Sequence, residues 1–379
     1  MALLALGACG ALVAAALGPG HARAATAQDW SPFVLVAGLL LVGLVAEEDG
    51  LFAYAGHRLA TSVRQPRRRF ALVVVLVASV TAVLNLDTSV AFLTPVLVHT
   101  ARRGREPEGR YLYCCLLLSN AGSILLPGSN LTNLIVLGQL HLSGARFVEV
   151  MAPCWVVAVA ITGTVVALAE RRTARQNSAA DAATGAATPP PEASAPRPTL
   201  SLGVLAVLAV AVLVIVLRAP ALPVAGTGVL AVGLRSLQHR ALPDKLFEVL
   251  GAPVLVGLFG IAVALGALGR AISWPAQLLA HLDLWGTAGV AALATVVVNN
   301  LPAASLLAAR VPPHPFALLL GLNLGPNLFV TGSLAWVLWW RAAGLVGAQP
   351  SLRRASALGA LSVPFALAGA VGLLALRLS

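Results

Sequence analysis

The chain has 379 residues, of which 59% are hydrophobic and only 10% charged, with a mean hydropathy of +0.89. Ordinary soluble domains carry roughly 25% charged residues, so the composition excludes a soluble globular protein and indicates an all-α polytopic membrane protein. The net charge of +11 comes from arginine clusters at the ends of apolar runs, with a single lysine at 245. That pattern reads as membrane topology; a nucleic-acid surface would need aromatic platforms and a basic groove, which are missing.

The first apolar run, 2–18, has no Lys or Arg ahead of it. This argues for a first membrane helix over a signal peptide, although His21-Ala22-Arg23-Ala24 loosely resembles a cleavage site and retention of residues 1–24 stays open. The next run, 32–46, continues less purely to 60 and carries Glu47-Glu48-Asp49 before Gly50. These acids either line the aqueous face of a break or sit in an interfacial loop. At 70–100, apolar arms flank the polar stretch Leu84-Asn85-Leu86-Asp87-Thr88. Each arm alone falls short of the about 20 helical residues that a crossing takes. Both arms lead to arginine-rich sequence, 64–69 and 102–110, and such loops favour the cytoplasm. A segment that leaves the cytoplasm, turns and returns to it is a re-entrant helical hairpin, tolerable only where its tip is buried in protein or lines a wet cavity.

Further runs lie at 111–142 and 147–169, then 201–217, 220–234 and 246–269, then 286–309 as a second hairpin, 315–342 and 355–377. Between them, 170–200 is rich in Ala, Thr, Pro and Ser and holds Pro189-Pro190-Pro191, so it reads as a disordered cytoplasmic linker. With a cytoplasmic N-terminus every dense arginine cluster falls inside, which gives about 9–11 membrane segments in a multi-pass plasma-membrane protein. Residues 1–169 and 201–379, with 201–217 as a connector, then follow one plan. Each half has two helices, a hairpin (70–100, 286–309), an interrupted helix (111–142, 315–342) and a final helix. The first half starts inside and the second outside. Two inverted-topology repeats of this kind are a recurrent plan of secondary transporters, whose substrate site lies near the midplane.

Polar residues recur at equivalent places in the two halves. The hairpin tips are Asn85-Leu86-Asp87-Thr88 and Asn299-Asn300-Leu301-Pro302. The interrupted helices carry Asn120-Ala121-Gly122 before Gly128-Ser129-Asn130, and Asn323-Leu324-Gly325 before Thr331-Gly332-Ser333. Pro127-Gly128 and Gly325-Pro326 break the helical ladder and free backbone groups within the membrane. Half-helix ends then offer dipoles, and Asn, Ser and Thr offer donors and acceptors without charge. The candidate binding residues are therefore Asn85, Thr88, Asn120, Gly128, Ser129, Asn130, Asn299, Asn300, Asn323, Thr331, Gly332 and Ser333. Such a site suits a small oxyacid, an oxyanion or a bare cation. Asp87 is the leading candidate for proton or cation coupling, because an intramembrane carboxylate is costly and is functional by default. Glu47, Glu48 and Asp49 are weaker candidates, and the other acids, Asp29 among them, read as loop or helix-end residues. Trp336, Trp339 and Trp340 beside Arg341 read as an interfacial anchor. Cys9, Cys114, Cys115 and Cys154 lack metal-ligand spacing and read as small buried hydrophobes, so no metal site or cofactor is implied.

At these residues the chain resembles the arsenical-pump membrane proteins. These belong to the ion transporter superfamily, together with sodium–proton antiporters of the NhaD type and divalent-anion and citrate symporters. The resemblance runs through Leu86-Asp87-Thr88-Ser89-Val90-Ala91-Phe92-Leu93-Thr94-Pro95-Val96 and 119–134. It recurs in Asn299-Asn300-Leu301-Pro302-Ala303, in 322–328 and in Thr331-Gly332-Ser333-Leu334-Ala335. It implies a transport domain of hairpins and interrupted helices moving against a scaffold in an elevator-like alternation, and exchange of arsenite or antimonite for protons. The symporters' Ser-Asn-Thr tips are absent, which argues against the dicarboxylate branch; a sodium–proton antiporter is the first alternative, and a divalent-anion or carboxylate transporter of the same superfamily the less favoured one. No His-Glu-x-x-His or Gly-x-Ser-x-Gly motif points to an enzyme. The expected partners are an inorganic oxyacid or ion, protons and membrane lipid, with a homodimer as a compatible assembly. No nucleotide-binding loop is present, so any use of ATP would need a separate ATPase subunit.

Overall fold

The structure, a computed structural model, describes residues 2–62, 65–138, 140, 142–181, 201–217, 219–240, 242–243 and 246–378. Arg64, Lys245 and positions 182–200 of the expected linker lie outside this set. Among the described residues the regular elements are all helical. The chain begins with α1 (Ala2–Ala16), α2 (Pro19–Glu48) and α3 (Leu51–Ser62), followed by the first hairpin, α4 (Pro66–Leu84) and α5 (Leu86–Gly104). A broken helix comes next, made of α6 (Glu108–Gly122), a 3-10 turn (Pro127–Ser129) and α7 (Leu131–Leu137), and then α8 (Gly144–Asp181). Beyond 201 come α9 (Leu202–Val216), α10 (Ala221–His239), α11 (Leu246–Leu250), α12 (Ala252–Ala271) and α13 (Trp274–Ala280). The second hairpin is α14 (Leu284–Val298) with α15 (Asn300–Leu307). The second broken helix is α16 (Pro315–Leu324), a 3-10 turn (Gly325–Leu328) and α17 (Ala335–Leu345), and α18 (Leu352–Leu378) ends the order.

The sequence of long helix, short helix, hairpin, broken helix and long helix thus occurs twice, over α2–α8 and α12–α18. Four helices among the described residues are long and apolar enough to cross a membrane: α2, α8 as far as Glu170, α12 and α18. They stand first and last in the two series. Hairpin arms and broken helices fill the space between, as expected where polar residues and prolines shorten the apolar runs.

Two boundaries differ from expectation. α8 does not stop at 169 but runs to Asp181, because Ala, Arg and Gln sustain a helix once the apolar run has nucleated it. α2 starts at Pro19 and not near 32, with Pro at its first position and Gly18 turning before it at φ 119°. Asp29 therefore belongs to a long buried helix and not to a loop.

Small residues set the contacts between long helices. α1 packs on α12 and α10 on α2. A Cβ at Gly7 would meet Gly257 Cα at 2.6 Å, and one at Gly38 would meet Ala225 Cα at 2.6 Å. Lipid chains provide no hydrophobic drive between helices, so close backbone approach and dispersion hold them. The expected tryptophan anchor is mostly interior. Trp336 and Trp339 are 0% exposed, and their Nε1 atoms donate to Pro326 O and Leu112 O at 2.8 Å each; only Trp340 is exposed. The Trp336 indole N–H serves a carbonyl at the second break, and that of Trp339 a carbonyl within α6.

Candidate functional site

The two broken helices are joined to each other by side-chain amides. Asn120 Nδ2 donates to Asn327 Oδ1 at 2.8 Å, and Asn327 Nδ2 donates to Leu117 O at 2.9 Å. Reciprocally, Asn323 Oδ1 accepts from Ser123 Oγ at 2.6 Å and from Asn130 Nδ2 at 2.8 Å, while its Nδ2 donates to Asn133 Oδ1 at 2.8 Å. Asn133 Nδ2 also serves Ser123 O and Leu126 O, and Ser129 Oγ donates to the same two carbonyls. Ser123 O lacks its helical donor because residue 127 is proline, while Leu126 O also accepts from Ser129 N at 3.1 Å within the turn. All seven side chains are buried. In each half, then, the Asn of Asn-x-Gly reaches a residue at the other half's break.

Each hairpin is fitted to its own broken helix in the same way. A Cβ at Gly122 would meet Ala78 Cα at 3.1 Å and Thr81 Cβ at 3.2 Å. A Cβ at Gly325 would meet Ala292 Cα at 2.5 Å and Thr295 Oγ1 at 2.6 Å. Thr81 and Thr295 are equivalent: their carbonyls accept from Asn85 N at 3.0 Å and Asn299 N at 2.9 Å at the two tips. Both tip asparagines take backbone angles that favour glycine, φ 97° ψ 169° at Asn85 and φ 77° ψ 154° at Asn299. Each caps the following arm, Asn85 Oδ1 accepting from Thr88 N at 2.8 Å and Asn299 Oδ1 from Leu301 N at 3.4 Å.

The tips differ in what they leave over. At the second, Asn299 Nδ2 donates to Thr331 O at 3.0 Å and Asn300 N to Gly332 O at 2.8 Å, while Thr331 Oγ1 donates to Val296 O. Asn299, Asn300, Thr331 and Gly332 thus clasp the tip onto its own broken helix. At the first tip, Asn85 Nδ2 and Thr88 Oγ1 are buried without a hydrogen-bond partner among the described residues, as are Asn120 Oδ1 and Ser333 Oγ. Buried polar atoms are seldom left so unless a ligand or water serves them. Asp87, in the first turn of α5, is partly buried, and none of the described hydrogen bonds or ion pairs involves it. Ser89 Oγ accepts from Thr81 at 2.8 Å and from Ser119 at 3.5 Å, which ties this tip to the residue beside Asn120.

Other expected site residues go elsewhere. Gly128 packs the first break on Leu35 and Val214, 3.3 Å from an added Cβ. Glu48 and Asp49 are drawn off by Arg235 of α10, at 3.4 and 2.9 Å, and Asp49 Oδ2 also accepts from Gly203 N at 2.6 Å at the start of α9. Their charges brace helices and cap one, and Glu47 lies on the same last turn of α2. No described hydrogen bond joins these three to the asparagine network. The residues not singled out beforehand are Ser123, Asn133 and Asn327. They sat inside the motifs already noted, and their pairing across about 200 positions had no local signal.

Beside the first break lies a cavity of about 310 Å³ between α2, α7 and α9, lined by Gln28, Ser31, Pro127 and Leu134 among others. At the foot of the first hairpin, Glu106 holds Arg69 at 2.6 Å and Arg110 at 3.6 Å, and Arg110 lies 4.1 Å over the Phe70 ring.

Known proteins resemble this chain in sequence and in fold. Residues 1–338 match the family described as "Citrate transporter" (CitMHS). The arsenical pump membrane protein of Escherichia coli (strain K12) is 25% identical over 365 residues, covering 88% of this chain and 83% of that protein. The inner membrane protein YbiR of the same organism is 29% identical over 127 residues, about 34% of either chain. Among solved structures, the Alcanivorax borkumensis YdaH transporter superposes with a TM-score of 0.58 at 15% identity, over 91% of this chain and 84% of that one, which is a likeness of fold.

Proposed function

The chain belongs to the citrate transporter family, a family of membrane transporters, and from that premise we propose that it is a proton-coupled exporter of arsenite or antimonite. The observation that carries this reading is the network of neutral amides and hydroxyls across the two breaks. Such groups can replace the hydration of an uncharged trihydroxide with donors and acceptors, at no electrostatic cost. A citrate anion would call for guanidinium or ammonium partners, because carboxylates are held by charge-assisted and often bidentate bonds. The network's partners are Asn, Ser and backbone carbonyls instead, and the ion pairs of Arg69 and Arg110 lie at the foot of the first hairpin. The arsenical pump relatives support the same substrate class.

In this reading Asn85, Thr88, Asn120 and Ser333 turn their unserved polar atoms to the substrate, and Asp87 exchanges a proton as the substrate leaves. Hairpins and broken helices move together against the long helices, with the N-terminus and 170–200 in the cytoplasm. The two series of elements would be inverted repeats about the midplane. One observation favours a second reading, a sodium–proton antiporter: the unpaired Asp87 sits beside helix ends whose oxygens are hard-cation ligands. Expression in a bacterial strain lacking its own arsenite exporter tests the proposal. A gain in arsenite and antimonite tolerance is expected. No gain, together with sodium-dependent proton flux in vesicles, would transfer the assignment to the antiporter.

A further inference from the structure

α2 carries two buried polar residues, Gln28 and Asp29, in its N-terminal part, flanked by the exposed Ala27 and Trp30. Pro32 has no N–H, so the Gln28 carbonyl lacks its helical donor. The Gln28 side chain is spread over three elements. Its Nε2 donates to Ile135 O in α7 and to Ala308 O at the end of α15, both at 3.0 Å, and its Oε1 accepts from Arg270 Nη2 of α12 at 2.5 Å. Asp29 is 0% exposed; its Oδ2 accepts from Ser305 Oγ of α15 at 3.4 Å, and its Oδ1 has no partner among the described residues. One turn of α2 therefore grips the second hairpin, the first broken helix and α12 together.

An ionised carboxylate with one oxygen unserved is costly to bury unless a cation faces it. The cation here is Arg270, which converges with Asp29 over Gly266, where an added Cβ would meet Arg270 Nη1 at 3.3 Å and Asp29 Oδ2 at 3.7 Å. Arg270 nevertheless spends its described hydrogen bonds on Gln28 and on Gly266 O at 2.9 Å. α1, α7 and α15 carry no charged residue, and α12 carries Arg270 alone. Arg310 reaches the Arg270 carbonyl at 3.2 Å, Arg23 of α2 itself is exposed, and Arg235 of α10 is engaged with Glu48 at the far end of α2. Gln28 also lines the cavity that extends to Pro127 at the first break.

We infer that Asp29 is a proton-binding carboxyl that sets the hold of α2 on the second hairpin. A proton from water adds to Oδ1 and forms an O–H bond, which cancels the charge opposite Arg270 and loosens the contact with Ser305. Return of the proton to water restores both. The inference rests on transport being proton-coupled, and it places a second titrating acid away from Asp87, at the contact between long helices and hairpin.

Proteoliposomes carrying the full chain test it with two readouts. These are exchange of antimonite at equal concentrations on both sides, and accumulation of antimonite driven by a pH gradient. Asp29→Asn is expected to keep exchange and to lose accumulation by about tenfold or more; retained accumulation overturns the inference. A second measurement does not depend on transport. Infrared difference spectra between acidic and alkaline buffer are expected to show a protonated-carboxyl band in Asp87→Asn protein that vanishes when Asp29→Asn is added. Where that double variant does not fold, Asp29→Glu is expected to shift the band instead. Asp87→Asn difference spectra that adding Asp29→Asn leaves unchanged overturn the inference. Wild-type vesicles that move neither arsenite nor antimonite would reject the substrate assignment while the infrared band still decides Asp29.

Discussion

The two hairpins share a tip geometry and differ in how they use it. Each turns on an asparagine at positive φ, and each lies against the glycine of an Asn-x-Gly. The second tip spends its polar groups on Thr331 and Gly332 of its own broken helix. The first leaves Asn85 Nδ2 and Thr88 Oγ1 unserved, adds Asp87, and is clamped at its foot by Arg69, Glu106 and Arg110. The first arms are 19 residues each, whereas the second are 15 and 8. A common frame can thus carry one tip that holds structure and one whose polar capacity is available for chemistry. What separates them is hydrogen-bond bookkeeping, not shape.

The largest effect should be functional and confined to the first tip. Asp87→Asn is expected to abolish proton-coupled transport, while Asn300→Ala lowers it about twofold or less; equal losses in resistance and vesicle assays would break the comparison. Next comes the bridge between halves. Asn323→Ala strips partners from Ser123, Asn130 and Asn133, whereas across the halves Asn120→Ala strips Asn327 of its amide donor and otherwise loses a long 3.4 Å bond to Leu116 O. At roughly 1 kcal/mol or more per buried group left unmade, thermal denaturation in detergent should show about 3 kcal/mol against about 1. The glycines give a third contrast. Gly325→Ala drives a methyl into Ala292 backbone and should cost about 1–3 kcal/mol, while Gly122→Ala, which needs Ala78 and Thr81 to give way only slightly, should cost less than about 1 kcal/mol, its crowding partly offset by better helix propensity. Smallest are Asn85→Gly and Asn299→Gly, each expected to change stability by only a few tenths of a kcal/mol, since Gly suits these φ values while the cap is lost. Only the first should reduce transport.

Much of this was legible because polar residues inside apolar runs are conspicuous. Asn85, Asp87, Asn299 and the two Asn-x-Gly segments mark the tips and breaks in the sequence itself. The cross-bonding of Asn120 to Asn327, and of Asn323 to Asn130 and Asn133, was not legible, since it pairs residues about 200 positions apart. Asp29 was misplaced because the polar stretch around His21 and Arg23 looks like a loop, and only Arg270 and Ser305, both distant in sequence, make its burial tolerable. Glu48 and Asp49 read as available in the sequence because Arg235, which pairs with both, is far away along the chain. Trp336 and Trp339 read as membrane anchors because the Pro326 carbonyl reaches Trp336 only through the bend of the second broken helix, and the Leu112 carbonyl reaches Trp339 only where that helix packs on the first.

The central claim is that neutral oxyacid and proton move in exchange, and it is tested most directly by proton movement on substrate addition. Sodium-free proteoliposomes of the full chain, loaded with a pH-sensitive dye, should report a proton flux when antimonite or arsenite is added, and none in Asp87→Asn. A flux that appears only with sodium, or only with citrate, would contradict it.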